Sequence, residues 1–202
     1  MSEGARDSAP SFRRELARKA LHLTSATVPV ALALGIPRRV ALIVLGTLLA
    51  IAISVETARA LSAAAASRFD AIFAALLRVH EARRLTGATW LLAAMFMAVM
   101  LLPRSAAIAA TWAAAVGDAA AALIGMRFGR HRSPRDGKSL EGSAACFLAT
   151  LIGVSLLARV AFPVALLLAA AAMIAERLPW PHDDNIRVIA AVGVVAMIAA
   201  TP

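Results

Sequence analysis

Asp118 is the residue from which a chemical reading of this sequence starts. It follows Gly117 in an apolar stretch. Beyond it come Gly125, Gly129 and the run Arg130-His131-Arg132-Ser133-Pro134-Arg135-Asp136-Gly137-Lys138-Ser139-Leu140-Glu141-Gly142. A carboxylate beside several cations and the backbone N–H groups of a Gly-rich turn outlines a nucleotide phosphate site. In such a site amides, the N-terminus of the next helix and a Lys cradle phosphate oxygens, while a carboxylate holds the Mg²⁺ that bridges them. Asp118 suits the metal. Lys138, flanked by Gly137 and Ser139, suits the phosphates. The plainer alternative makes Arg130 to Lys138 an ordinary basic loop held on the inner side of a membrane. Asp118 weighs against it, because an acid in a lipid-embedded window is costly unless it is used or paired. Gly137-Lys138-Ser139 matches the end of a Walker A loop, but the preceding Gly and the strand context are missing, so that motif is rejected.

Other acids recur at helix ends: Glu56 near Arg59, Glu81 near Arg84, Glu141, Glu176, and Asp183-Asp184 followed by Asn185. Each alone is either a helix-end ion pair or a ligand. Together they form a set of hard oxygen donors of the kind Mg²⁺ takes, with Asp183 and Asp184 the strongest after Asp118. Thr86, in Arg83-Arg84-Leu85-Thr86-Gly87-Ala88-Thr89, either caps a helix or touches a ligand. Near the start, Arg14 to His22 is basic and amphipathic, which suits attraction to lipid headgroups. His22 there is either structural or a general base for an alcohol.

These residues need a scaffold, and composition names it. The 202 residues are 61% hydrophobic and only 16% charged, against roughly 45–50% apolar in soluble domains. The charged residues are segregated, leaving apolar blocks of the size of membrane spans. The sequence predicts an all-α, polytopic transmembrane helix bundle of about seven spans, near 21–36, 39–56, 88–102, 105–124, 142–158, 160–176 and 187–201. A last window running so close to Pro202 also allows six. Small residues in abundance suit close helix packing in lipid.

With the N-terminus cytoplasmic, only Arg38, Arg39, Arg104 and Arg159 of the 21 Lys and Arg residues fall outside, as the positive-inside rule requires. All 12 acids fall inside or at inner helix ends. The membrane therefore accounts for the net charge of +9 better than nucleic-acid binding does. A segment at about 60–82 reads as an amphipathic helix lying at the interface. Met1 to Pro10, with Glu3 and Asp7, lacks the form of a cleavable signal. The lone Cys146 sits among apolar residues and reads as core. No repeat or linker divides the chain, so residues 1–202 read as one integral membrane catalytic domain.

The order of motifs resembles the dolichol kinase, phytol kinase and CTP-dependent diacylglycerol kinase family, whose wider relatives include the CDP-diacylglycerol synthases. The matching blocks are Arg-Lys-x-x-His at Arg18 to His22, Glu-x-x-Arg at Glu56 to Arg59, and Glu-x-x-Arg-x-Thr-Gly-Ala-Thr at Glu81 to Thr89. They continue with Gly117-Asp118, Gly-Lys-Ser-Leu-Glu-Gly-Ser from Gly137 to Ser143, and Asp183-Asp184-Asn185. Many relatives follow Asp-Asn with an apolar-Pro pair, whereas Asn185 is followed here by Ile186-Arg187-Val188.

The resemblance implies phosphoryl transfer from CTP, with Mg²⁺, to the hydroxyl of a membrane lipid alcohol: a polyprenol, a phytol-like isoprenoid or diacylglycerol. It implies metal on Asp118, Asp183 and Asp184, Lys138 with Arg132 or Arg135 on the transferred group, and Glu141 holding metal or taking the alcohol proton. Glu81, Arg84 and Thr86 join the nucleotide site, and the reaction runs at the cytoplasmic face of a bacterial inner membrane. Two rivals remain, a cytidylyltransferase that makes a CDP-lipid from a lipid phosphate and a transporter whose buried acids bind a cation. The residues leave the lipid and the oligomeric state, a homodimer among the options, open.

Overall fold

The computed structural model describes residues 12–73, 85–134, 136–178 and 183–199, with the Arg13 side chain excepted. Within them the chain is helical and forms no strand; an isolated bridge between Arg132 and Ser139 pins the basic loop. The helices are α1 (Phe12–Leu23), α2 (Thr27–Ala33), α3 (Arg38–Leu61), α4 (Ala63–Phe73), α5 (Gly87–Leu101), α6 (Arg104–Trp112), α7 (Asp118–Phe128), α8 (Leu140–Gly153), α9 (Phe162–Arg177) and α10 (Asp184–Ala199). A π-turn, Ala113–Gly117, joins α6 to α7 without a break, and a second, Val154–Ala158, extends α8.

Three of the resulting helices are long and apolar enough to cross a membrane: Arg38–Leu61, Arg104–Phe128 and Leu140–Ala158. Gly87–Leu101 is a shorter apolar helix. Two of the other expected windows fall largely on single helices, α9 and α10, of 16 residues each. The window at 21–36 tightens instead at a 3-10 turn, Thr24–Ala26, between α1 and α2, with helical backbone on both sides. The reason is local: the hydroxyls of Thr24, Ser25 and Thr27 bond back to the carbonyls three residues earlier, competing with the regular ladder.

Arg104–Phe128 is the central helix and Arg38–Leu61 a peripheral one. The most apolar stretch of the former is 67% buried within the protein and that of the latter 6%. Alanine makes the centre possible. Ala109, Ala110, Ala113, Ala114 and Ala115 are fully buried, and side chains this small let neighbouring backbones close in. Around them α7 packs on α8, α8 on α9, α9 on α10, and α10 on α6 and α5.

Two glycines let α8 close on the segment that carries Asp118. A Cβ at Gly117 would meet Thr150 Oγ1 at 2.5 Å, and one at Gly142 would meet the Ala121 carbonyl oxygen at 2.6 Å. Both approaches press α8 against the segment that carries Asp118.

Of the expected interfacial helix at about 60–82, the structure describes α4, which covers 63–73 and carries Phe69 and Phe73; residues 60 and 61 close α3, and 74–82 lie outside the described residues. Helix α3 runs past the expected end near residue 56 to Leu61. It can do so because Glu56 and Arg59, one turn apart, neutralise each other at 2.6 Å.

Candidate functional site

Lys19 is the partner that makes Asp118 tolerable inside a helix bundle. The π-turn ends at Gly117 and leaves Asp118 opening α7, where its carboxylate forms an ion pair with Lys19 Nζ on α1. Asp118 is 8% exposed and Lys19 3%, so each charge depends on the other, since either alone would be buried without compensation. Three residues further along α1, His22 Nε2 donates to the Ala114 carbonyl at 2.9 Å and stands 3.6 Å from Asp118 Oδ2. The carbonyl belongs to the π-turn, whose wider ring disturbs the regular ladder. Because a carbonyl can only accept, Nε2 carries the proton and Nδ1 is the acceptor of the neutral ring.

Two cavities meet at this pair. The smaller, about 210 Å³, is lined by Glu15, Arg18, Lys19, Asp118, Gly125, Arg132, Asp136, Gly137, Lys138, Ser139, Ser143, Glu176 and Asp184 among others, and is rich in charge. The larger, about 470 Å³, is mostly apolar, with Leu21, Ala52, Val55, Phe69, Phe73, Leu91 and Leu92 in its walls. Its polar lining includes His22, Glu56, Thr86, Thr89, Asp183 and Asn185. Arg18, Lys19, Asp118 and Asp184 line both.

The basic loop reaches the smaller cavity through a specific build. Gly137 adopts φ +67°, a left-handed conformation that glycine takes without a Cβ penalty. Ser139 caps α8, its Oγ accepting the Gly142 N–H at 3.0 Å. Arg132 donates to the carbonyls of Gly137 at 3.1 Å and Gly125 at 2.8 Å, bracing the loop against α7. Lys138 Nζ meets Glu176 Oε1 at 2.8 Å. Outside the spans, the Ser133 hydroxyl and then the Lys138 N–H bond the Asp136 carboxylate and hold its pKa below the usual value, although burial pulls the other way.

The structure therefore brings together Asp118, His22, Lys138, Ser139, Gly137, Arg132, Asp183, Asp184 and Thr86 around two adjoining cavities. Glu81, Arg84 and Arg135 lie outside the described residues. Glu141 is placed elsewhere. Its carboxylate accepts from His131 Nδ1 at 2.7 Å and from the His131 N–H at 3.3 Å. It lines a separate, open cleft with Arg127, Arg130 and His131. Thr86 occupies the N-cap position of α5, yet its side chain makes no capping bond. Glu56 on α3 caps instead, taking the Thr86 N–H at 2.9 Å and the Thr89 hydroxyl at 3.2 Å.

Sequence reasoning missed Lys19, Glu15 and Arg18 as site residues, and it left Glu176 among helix-end acids. The signal available for Glu176 and Lys19 was the cost of burying an acid in an apolar window, which demands a cation from somewhere.

Among the described residues no three His, Cys, Asp or Glu side chains converge as a metal-binding group. Mg²⁺ asks for less than that, since it keeps several waters and binds through one or two carboxylates plus substrate phosphates. Asp118 and Asp184 supply two carboxylates on one wall. Asn185 adds a buried Oδ1 with no hydrogen-bond partner among the described residues, while its Nδ2 and its backbone N–H both donate to Asp183 Oδ1. An orphaned acceptor of this kind is costly unless a ligand satisfies it, and these oxygens are of the hard kind that a magnesium ion takes.

No protein-family model, curated protein or solved structure matches this chain.

Proposed function

We propose that this chain is a membrane-embedded kinase that transfers the γ-phosphoryl group of a nucleoside triphosphate to the hydroxyl of a lipid alcohol. The observation that carries the reading is the shared wall: a cation-rich cavity and an apolar one abut at Arg18, Lys19, Asp118 and Asp184. A soluble, highly charged donor and an apolar acceptor with one polar end need such a pair of adjoining sites. The motif resemblance adds CTP as the donor and the dolichol, phytol and diacylglycerol kinases as the comparison. In this reading seven segments cross the membrane, the N-terminus is cytoplasmic, and the site lies at the inner headgroup level.

The residues divide the work as follows. Lys138, Arg132 and the Gly137 to Ser139 backbone hold the triphosphate in the smaller cavity. Asp118, Asp184 and Asn185 Oδ1 would hold a magnesium ion, which would supply charge neutralisation to the triphosphate. The lipid body lies along the apolar lining, with its hydroxyl toward His22.

The hydroxyl oxygen forms a bond to the γ-phosphorus while the bond from that phosphorus to the β–γ bridging oxygen breaks, and CDP leaves with the electron pair. The alcohol proton passes to His22 Nδ1. The resulting imidazolium keeps its Nε2–H on Ala114 and gains from the carboxylate of Asp118 nearby. Positioning and charge stabilisation supply most of the rate in phosphoryl transfer, so the fixed cations matter more than the base.

A test uses purified protein in liposomes, with a panel of long-chain alcohols and diacylglycerol and each of the common triphosphates. Wild type should form a phosphorylated lipid, and Asp118→Asn and Lys138→Ala should each lose at least about 100-fold in rate, the scale of removing one group that stabilises transition-state charge. Equal rates in wild type and Asp118→Asn, or nucleotide-independent cation flux with no phosphorylated product, would refute the reading.

A further inference from the structure

We propose that Lys19 is a catalytic residue with two positions: its ammonium occupies the cation place on Asp118, as the structure shows, and when metal and triphosphate bind it moves to the phosphoryl group being transferred. The inference rests on the kinase reading for its second half, and on the structure alone for its first.

The buried pair is the starting point. Lys19 reaches Asp118 from a helix 99 residues away in sequence, and the two side chains are 4% and 10% exposed. A carboxylate so tightly paired with an ammonium cannot also serve a divalent cation at full strength, because the two positive charges would share one anion at close range. A metal that docks on Asp118 must therefore displace Lys19. Both residues line both cavities, so a displaced ammonium stays at the junction where the γ-phosphate meets the acceptor hydroxyl. Lysine suits a two-position role. Its flexible stem carries a compact charge with three donors, whereas arginine's planar fork commits to one geometry.

Other groups near Asp118 do not replace Lys19. Arg18 turns its guanidinium to Glu15, with Nε 3.1 Å from Oε2, and His22 is held on Ala114. Lys138 is engaged with Glu176 in the lining of the smaller cavity. Arg187 pairs with Asp184. The pairing neutralises Asp118 on the shared wall and releases a cation to the reaction centre when the metal and triphosphate arrive.

Two measurements test this. The first is Mn²⁺ binding to nucleotide-free protein in detergent, followed by electron paramagnetic resonance. Lys19→Met should bind Mn²⁺ at least about tenfold more tightly than wild type, a gain that Asp118→Asn in the same background abolishes. Unchanged Mn²⁺ affinity in Lys19→Met would overturn the proposal.

The second keeps the wild-type chain and so does not depend on a variant folding. Lys19 and Lys138 are the only lysines, so protein labelled with ¹⁵N at lysine Nζ gives two ammonium signals, assigned with Lys138→Arg. Adding β,γ-methylene-CTP with Mg²⁺ should shift the Lys19 signal, and omitting Mg²⁺ should leave it in place. A Lys19 signal indifferent to the magnesium nucleotide would overturn the proposal.

In turnover, Lys19→Met should lose at least about 100-fold in kcat with KM for CTP within about threefold; full kcat would refute the second half. If the Mn²⁺ and lysine results hold while no lipid alcohol is phosphorylated, the kinase reading fails and the displacement of Lys19 by metal stands.

Discussion

Substituting Gly142 with alanine tests whether the contact between α7 and α8 is what sets the site. A Cβ at this position would stand 2.6 Å from the Ala121 carbonyl oxygen, 3.2 Å from Gly125 Cα and 3.2 Å from Ser139 Oγ. Carbon and carbonyl oxygen rest at about 3.3–3.6 Å, so α8 must back away from α7 by roughly 0.7 Å. The obstacle is backbone, which cannot rotate aside. Overpacking of this kind costs about 1–3 kcal/mol, which corresponds to a Tm lower by about 2–12 °C for a chain of this size.

The single cysteine makes the assay direct. Cys146 is buried, so a thiol-reactive dye reports unfolding in detergent. The same displacement separates Asp118 on α7 from the loop holding Lys138. A misplacement of about 1 Å costs on the order of 100-fold in rate, so kcat should fall at least about tenfold. Gly46→Ala is the control: its Cβ would meet the edge of the Phe96 ring at 3.4 Å, an ordinary contact, and alanine is the better helix former by up to about 1 kcal/mol. A Gly142→Ala protein with wild-type Tm and rate would refute the claim that this contact positions the site.

Glu141→Gln should retain kcat within about threefold of wild type, because its carboxylate serves His131 and a separate cleft; steady-state kinetics beside Asp118→Asn checks this, and a loss of the Asp118→Asn scale would return Glu141 to the reaction. Asp136 is held below its usual pKa by Ser133 and the Lys138 N–H. Its contribution to the loop is therefore complete above the unfolded carboxylate pKa near 4 and lost as pH falls through the lower folded value. Hydrogen exchange of the 131–139 segment should rise on acidification in wild type, and Asp136→Asn should show that higher exchange already at neutral pH. Glu176→Ala leaves Lys138 without its carboxylate, and both KM for the triphosphate and Tm should move, as a partly buried cation loses its partner.

How much the sequence disclosed follows from the range of each interaction. Apolar windows are legible one segment at a time, so the helices α5, α9 and α10 lie near the expected windows. Asp118 and Lys138 were legible because each breaks a local pattern, an acid in an apolar stretch and a lysine in a glycine turn. Lys19 was not, because its partner is 99 residues away and its own neighbourhood reads equally well as attraction to headgroups. Glu56 looked like half of a local pair with Arg59, which it is, but its second oxygen caps α5 across 30 residues. Glu141 falls outside the two adjoining cavities for a geometric reason: Ser139 fixes the first turn of α8, and one position along that turn decides between the shared wall and the His131 cleft. The π-turn before Asp118 has no signature in Ala113-Ala114-Ala115-Val116-Gly117, although it creates the carbonyl that orients His22.

The most direct measurement asks which phosphorus of the nucleotide ends on the lipid. Liposomes containing the wild-type chain and an accepting alcohol are given CTP labelled separately at the γ- and α-phosphates, and the lipid phase is counted. The shared wall predicts γ-label in the lipid and α-label remaining in water as CDP. Label from the α-phosphate in the lipid, with release of pyrophosphate, would contradict it and assign the chain to nucleotidyl transfer.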